Sequence, residues 1–260
     1  MRKAALAVLL AAAVLLPGTS RAEDQFSSFA LQQVGKLISN PPLFLYEFQR
    51  NMESTTPIPP GKFIGVNYHF LGGILIIPLP DITTDYNISG KVRLHPEGRL
   101  YPGLPQLDLD AGYWKSPLAH KLEHPDASAT DSQTKLTSLN VGGQYMAAVM
   151  SSSVEPRVRL FWGYKVSRLH VDMGLNKPSD VFGTQVQSFS GRLREDTFSA
   201  GIEHAYSDGK RWTMEGGYGL KNHLLSAKVA WSGTFLELGF NIYPESVFIM
   251  QPEVNFHVYF

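Results

Sequence analysis

The chain has 260 residues, with 23 Lys and Arg against 23 Asp and Glu, and no cysteine. That even balance leaves no basic footprint for nucleic acid. The missing thiols exclude disulfides, thiol catalysis and thiolate metal sites.

Residues 1–22 have the pattern of a secretory leader. Arg2 and Lys3 precede an apolar run from Ala4 to Leu16, Pro17-Gly18 breaks it, and Ser20-Arg21-Ala22 supplies small residues at the two positions that govern cleavage. The run is too short to cross about 30 Å as a helix, which takes about 20 residues. Cleavage is therefore expected, and with no Cys after Ala22 a lipid-anchored mature terminus is not. The leader carries three bases, Arg2, Lys3 and Arg21, and no acid, so the remainder is slightly acidic. No later segment reads as a membrane helix. The most apolar, Leu71 to Leu79, contains Gly72 and Gly73 and is closed by Pro78 and Pro80.

Residues 23–61 read as an N-terminal helical and irregular segment, expected on the periplasmic side. Phe26, Phe29, Ala30, Val34, Leu37 and Ile38 form an amphipathic helical stripe that Pro41-Pro42 ends. Leu43 to Met52 is a second apolar and aromatic stretch, and Thr56-Pro-Ile-Pro-Pro-Gly61 leads on. Packing on a barrel rim is the first expectation for this segment. A lumen plug and an interfacial clamp are the sharper alternatives.

From residue 62 the period changes to two. In 62–70, Ile64, Val66, Tyr68 and Phe70 oppose Asn67 and His69, and in 86–94, Tyr86, Ile88, Val92 and Leu94 oppose Asn87, Ser89, Lys91 and Arg93. In 106–114, Leu107, Leu109, Ala111 and Tyr113 oppose Asp108 and Asp110. In 136–149, Leu139, Val141, Tyr145 and Val149 oppose Asn140 and Gln144. In 157–167, Val158, Leu160, Trp162, Tyr164 and Val166 oppose Arg157, Arg159 and Lys165. In 196–206, Phe198, Ala200, Ile202 and Tyr206 oppose Thr197, Ser199 and Glu203. In 211–220, Trp212, Met214, Tyr218 and Leu220 oppose Arg211, Thr213 and Glu215. In 223–231, Leu225, Ala227, Val229 and Trp231 oppose Ser226 and Lys228. In 234–243, Leu236, Leu238, Phe240 and Ile242 oppose Glu237, Gly239 and Asn241. In 248–260, Phe248, Met250, Val254, Phe256, Val258 and Phe260 oppose Gln251, Glu253, Asn255 and His257.

A strand sends alternate side chains to opposite faces, so each of these is a ribbon with one apolar and one polar face. Tight links are expected at Ser207 to Lys210, at Ser232-Gly233 and around Ser151 to Pro156, and long ones over 71–85, 115–135 and 168–195. The link from Pro96 to Pro105 is long for an inner turn, and Leu220 to Asn222 is short for an outer loop.

The final strand, with apolar residues at alternate positions and Phe256, Val258 and Phe260 at its end, resembles the sorting signal that closes bacterial outer-membrane β-barrels. The resemblance covers the leader and roughly residues 62–260 and reaches no particular family. It implies an all-β, antiparallel, up-and-down transmembrane barrel of about ten strands, within the range 8 to 12. It also implies export by the general secretory route to a Gram-negative type of outer membrane. Outer-membrane lipids and the barrel-assembly machinery would be partners, with small solutes or ions as candidates and no nucleic acid. A soluble exported β-sandwich is the competing fold. Tyr68, Tyr86, Tyr113, Tyr145, Tyr164, Tyr206, Trp212 and Trp231 on the apolar parity weigh against it, since such rings favour a membrane interface.

A Lys or Arg facing lipid at mid-depth costs roughly 2–4 kcal/mol, which turns the polar parity inward. The expected lumen charges are Lys91, Arg93, Asp108, Asp110, Arg157, Arg159, Lys165, Glu203, Arg211, Glu215, Lys228, Glu237 and Glu253. They serve either as a salt-bridged filling or as the lining of a narrow path, cationic where Arg157, Arg159 and Lys165 share a strand. The function expected is structural, interaction or narrow small-solute transport. The alternative is an enzyme acting on lipid or peptide at the outer rim, where His69, His170 and His204 are candidate site residues. His120-Lys-Leu-Glu-His124 matches an inverted zinc-peptidase pattern, but Pro117 and Pro125 confine it to about two helical turns in a loop, so a solvated loop is expected there. No catalytic residue, resident metal or cofactor is assigned.

Overall fold

The computed structural model describes residues 46–47, 49–53, 55–72, 86–115, 136–181, 184–246 and 250–260. Ten strands form one closed antiparallel barrel: β1 (Ile64–Gly72), β2 (Tyr86–His95), β3 (Gln106–Lys115), β4 (Leu136–Glu155), β5 (Val158–Val181), β6 (Thr184–Ser207), β7 (Lys210–Gly219), β8 (Leu225–Ser232), β9 (Leu236–Ile242) and β10 (Met250–Tyr259). Each strand pairs with its neighbour in sequence, and β10 returns to β1. The seam is tied at its end by Phe63 N donating to Phe260 O at 2.7 Å and Phe260 N donating to Ile64 O at 2.9 Å. Closure gives every strand a neighbour on both sides, so no strand is an edge over its whole length; above Thr197↔Gly219, β6 pairs with β5 alone.

Burial alternates along every strand as the sequence period requires, but in the inverse sense of a water-soluble protein. Leu109, Tyr113, Leu160, Tyr164, Phe198, Met214, Val229, Leu238, Phe240, Phe256 and Val258 are exposed on the outside, as is Phe260 at 66%. Lys91, Asp110, Lys165, Glu215, Lys228, Glu237 and Glu253 are buried inside.

In β4 the apolar parity does not face outward as expected. Val141, Tyr145 and Val149 point into the lumen, while Gln144, Met146 and Met150 are exposed. The cause is register. Directly paired residues share a face, and Asp108 pairs with Val149 and Asp110 with Ala147. The carboxylates of β3 fix the phase of β4, whose own outward residues carry no charge to decide it.

This inversion gives the lumen an apolar sector, with Ala147, Val149 and Phe161 in contact. Inward glycines make room for large rings: Gly112 lies under Tyr145, Gly143 under Trp114 and Gly201 against both the Phe161 ring and the Met214 carbonyl. A Gly201→Val protein should lose about 1–3 kcal/mol by overpacking. A lowered urea midpoint of the folded barrel would show it, and an unchanged midpoint would mean that the ring moves aside freely.

The connections differ from expectation in two places. The described residues of 168–195 are not a long loop but the upper part of the β5–β6 hairpin, paired from Arg168↔Arg194 to Gly174↔Ser188 and, after a register shift, from Ser179↔Val186 to Val181↔Thr184. Ser151, Ser152 and Ser153 belong to β4 rather than to a turn, and Pro156-Arg157 makes the turn. The 96–105 link is latched onto β4. Glu97 accepts hydrogen bonds from Ser152 Oγ, Ser153 N and Ser153 Oγ, each at 2.8 Å. Partial burial pushes the Glu97 carboxyl up, but these donors hold it below its usual value.

The tight turn at Asp208-Gly209 forms as expected, with Gly209 at φ 69°. The short 220–224 connection closes with His223 at φ 57°, its Nδ1 2.8 Å from Tyr218 Oη.

Antiparallel order gives the barrel two ends. The C-terminal end carries Phe260 and the turns at 96–105, 156–157, 208–209 and 233–235. The loop end carries the connections after β1, β3, β5, β7 and β9.

Candidate functional site

The lumen is where the chemistry collects, and residues 46–58 run through it. Residues 46, 47 and 49–51 are helical, and the described residues from 52 to 61 form neither helix nor strand. The sequence placed this stretch first on the rim. Its described part lies inside, with Ile58 fully buried at 0% exposure. The amphipathic stripe at 24–38 lies outside the described residues, as does His120 to His124.

The segment enters at the loop end. Tyr46 packs edge-on against Tyr243 at 6.5 Å, and its Oη lies 3.0 Å from Ser226 Oγ. Gln251 Nε2 donates to Glu47 Oε2 at 3.1 Å, and Tyr243 Oη donates to Asn51 Oδ1 at 2.7 Å. One turn on, Arg50 Nη2 reaches Glu215 Oε1 at 2.5 Å, and Thr55 Oγ1 donates to the same oxygen. Glu53 Oε2 receives Lys165 Nζ at 2.7 Å and Ser167 Oγ at 2.5 Å.

Lower down, Lys91 Nζ donates to Thr56 O at 2.6 Å, and Asn87 Nδ2 to Met52 O at 3.0 Å. The exit at the C-terminal end is clamped. Ile58 N donates to Asp108 Oδ2 at 2.8 Å. Ile58 O accepts from Arg93 Nη2 at 2.9 Å, Gln106 Nε2 at 3.0 Å and Arg159 Nη1 at 3.2 Å.

The plug is thus charge-matched to the wall. Glu47 and Arg50 lie on the short helix, and Glu53 follows just past its end. Arg50 neutralises Glu215 and Glu53 neutralises Lys165, two wall residues on different strands. This complementarity is present in the sequence but becomes legible only once the partners across the lumen are known.

The other expected lumen charges, Arg157 apart, pair within the wall. Lys91 Nζ lies 3.3 Å from Asp110 Oδ2, and Arg93 Nε lies 3.4 Å from Asp108 Oδ1. Glu203 is flanked by Arg211 at 3.1 Å and Arg159 at 3.8 Å. Lys228 bridges Glu237, at 2.7 Å, and Glu253. Asn255 and Ser232 add hydrogen bonds to Glu237, and Asn241 adds one to Glu253.

Arg157 is the exception among the expected lumen charges. It sits exposed in the β4–β5 turn, because pairing ends at Glu155↔Val158 and the inward phase of β5 begins only with Arg159. Arg157, Arg159 and Lys165 therefore do not form one cationic line. Arg159 clamps the plug exit, and Lys165 holds Glu53 deeper in.

A gap between plug and wall, lined by Gln49, Arg50, Glu53, Lys165, Ser167 and Thr197, is too tight to admit a water molecule, far short of a small-molecule site.

The histidines considered for a rim enzyme do not meet. His69 is buried in the lumen. His170 lies on the outer face toward the loop end, paired with Arg192. His204 lies outside at the other end, its ring 5.7 Å from Trp212. Phe256, Val258 and Phe260 form the outward edge of β10. No protein-family model matches the chain, and no curated protein matches it as a relative.

Proposed function

We propose that this chain is a small outer-membrane barrel held shut by its own N-terminal segment. Its working surface would be the loop end rather than an open pore. The observation that carries this reading is the plug: residues 46–58 occupy the lumen and neutralise wall charges that an open path would leave to solutes.

Membrane insertion is supported by the inverted burial. On β5 and β6 the outward pairs Val158/His204, Leu160/Ile202, Trp162/Ala200, Tyr164/Phe198 and Val166/Asp196 carry a mainly apolar stretch. It is about 27 Å long at about 3.4 Å per residue. At the usual strand tilt of about 40° this crosses roughly 20 Å, close to the apolar band of known barrels. Trp212 and Trp231 pair near its lower edge, where indole rings prefer an interface.

The protein refolded with phospholipid vesicles should migrate faster on unheated gels and resist protease across β1–β10. Complete digestion in the presence of vesicles would refute the membrane reading.

The direction of the plug has a further consequence for this proposal. Tyr46 lies at the loop end, opposite to Phe260. An epitope inserted after Ala22 should be accessible to antibody on intact cells, while one inserted in the Asp208-Gly209 turn, at the end that carries Phe260, should require permeabilised cells. Access to both only after permeabilisation would reject that topology.

A further inference from the structure

We infer that the outer face of β5 and β6, just past the apolar band, binds the phosphate of an anionic lipid headgroup. This rests on the membrane reading above. Along the outward face of this hairpin the side chains change abruptly. Tyr164 pairs with Phe198, which pairs with Tyr218, making an exposed aromatic row across β5, β6 and β7. One step toward the loop end is Val166/Asp196, and beyond it Arg168 stands directly opposite Arg194 and His170 opposite Arg192.

Like charges directly opposed across strands repel. Here the repulsion is only partly relieved. Arg194 Nε lies 3.1 Å from Asp196 Oδ1, and Lys221 Nζ draws on the other oxygen at 3.6 Å. Ser190 Oγ donates to Asp172 Oδ1 at 2.6 Å. Arg168 and Arg192 have no acid partner among the described residues, and both are exposed. Along this edge Arg168, Arg192, Arg194 and Lys221 outnumber Asp172 and Asp196.

Guanidinium groups present paired N–H donors that match two oxygens of a phosphate. A soluble anion at an exposed site would be screened over about 8 Å at physiological salt. A lipid phosphate is held at this height because its tails lie on Tyr164, Phe198 and Tyr218. The patch therefore fits a phosphate attached to acyl chains better than a free one. Gln144, exposed and paired with Arg168, adds an uncharged donor beside it.

The test uses the full mature protein in phosphatidylcholine vesicles containing a small fraction of diphosphoryl lipid A. Lipid retained after detergent extraction is measured by native mass spectrometry. The wild type should retain lipid A in preference to phosphatidylcholine. R168Q/R192Q/R194Q should lower that retention at least about tenfold, as expected for loss of several charge-assisted hydrogen bonds. Arg157→Gln, at the other end of the barrel, should leave it unchanged. Should the triple variant fail to fold, Arg192→Gln alone is expected to reduce retention about threefold.

Equal retention by wild type and folded variant would overturn the inference, as would displacement of the lipid by millimolar inorganic phosphate. Failure to insert at all, read from gel mobility and protease digestion, would remove the membrane reading itself. Insertion without lipid preference would remove only the lipid site.

Discussion

A protein lacking residues 23–57, so that the mature chain starts at Ile58, is expected to conduct ions in a planar bilayer where the intact protein is silent. About eight strands already give a barrel whose interior side chains just fill it. Ten strands leave additional room, and here the plug takes it. Without the plug the wall presents Lys91, Arg93, Arg159, Lys165, Arg211 and Lys228 against Asp108, Asp110, Glu195, Glu203, Glu215, Glu237 and Glu253. The near balance predicts small steps with weak ion selectivity. Lys165 and Glu215, no longer paired with Glu53 and Arg50, become the hydrated charges of the path. Steady steps from the intact protein would contradict the seal. Silence from the folded truncated protein would mean that the wall side chains close the lumen unaided.

The second large effect is energetic. Glu53→Gln should destabilise the folded protein by about 3–5 kcal/mol, the typical result of breaking a buried pair from one side. The magnitude follows from what is left behind. Lys165 is fully enclosed, and its Nζ has the Glu53 carboxylate at 2.7 Å as its ion partner. The mutation keeps volume and a hydrogen-bonding head for Ser167 but removes the charge. Lys165→Met should cost about as much by stranding Glu53, and the double variant should cost less than the sum by about 0.5–3 kcal/mol. Urea midpoints of vesicle-inserted protein measure all three. Strict additivity would mean that the two groups do not interact, and the charge match between plug and wall would lose its energetic basis. Replacing both partners by apolar groups is the informative control, because well-packed apolar substitutes often match a buried ion pair.

Much of the architecture was readable from period alone. Each β-strand candidate from 62 to 260 corresponds to a strand of the closed barrel, although β5 and β6 extend well beyond the sequence ranges. Charged residues decided most of the inward phases, because a strand carrying Lys91 and Arg93 on one parity has only one low-energy orientation if its other face meets lipid. β4 shows the limit of that rule. Its polar signal was Asn140 and Gln144, neither charged, and the choice fell to the pairing of Asp108 and Asp110 with Val149 and Ala147. The histidines illustrate the same limit for sites. His69, His170 and His204 looked comparable in sequence, yet parity and strand direction send them to the lumen and to opposite ends of the outer surface.

What the sequence by itself determined is therefore the alternation: which side chains on most strands are apolar and which are charged. That information is local, since successive side chains of a strand must face opposite ways. The tertiary structure alone decided the route of residues 46–58, the pairing of Arg50 with Glu215 and of Glu53 with Lys165, and the upward extension of the β5–β6 hairpin. Those partners are more than a hundred residues apart in two of the three cases. A short helix next to a proline-rich run carries no local mark of whether it lies on a rim or in a lumen. Only closure of β10 onto β1 encloses a polar interior large enough to take it, with unmatched charges at the right heights to hold it there.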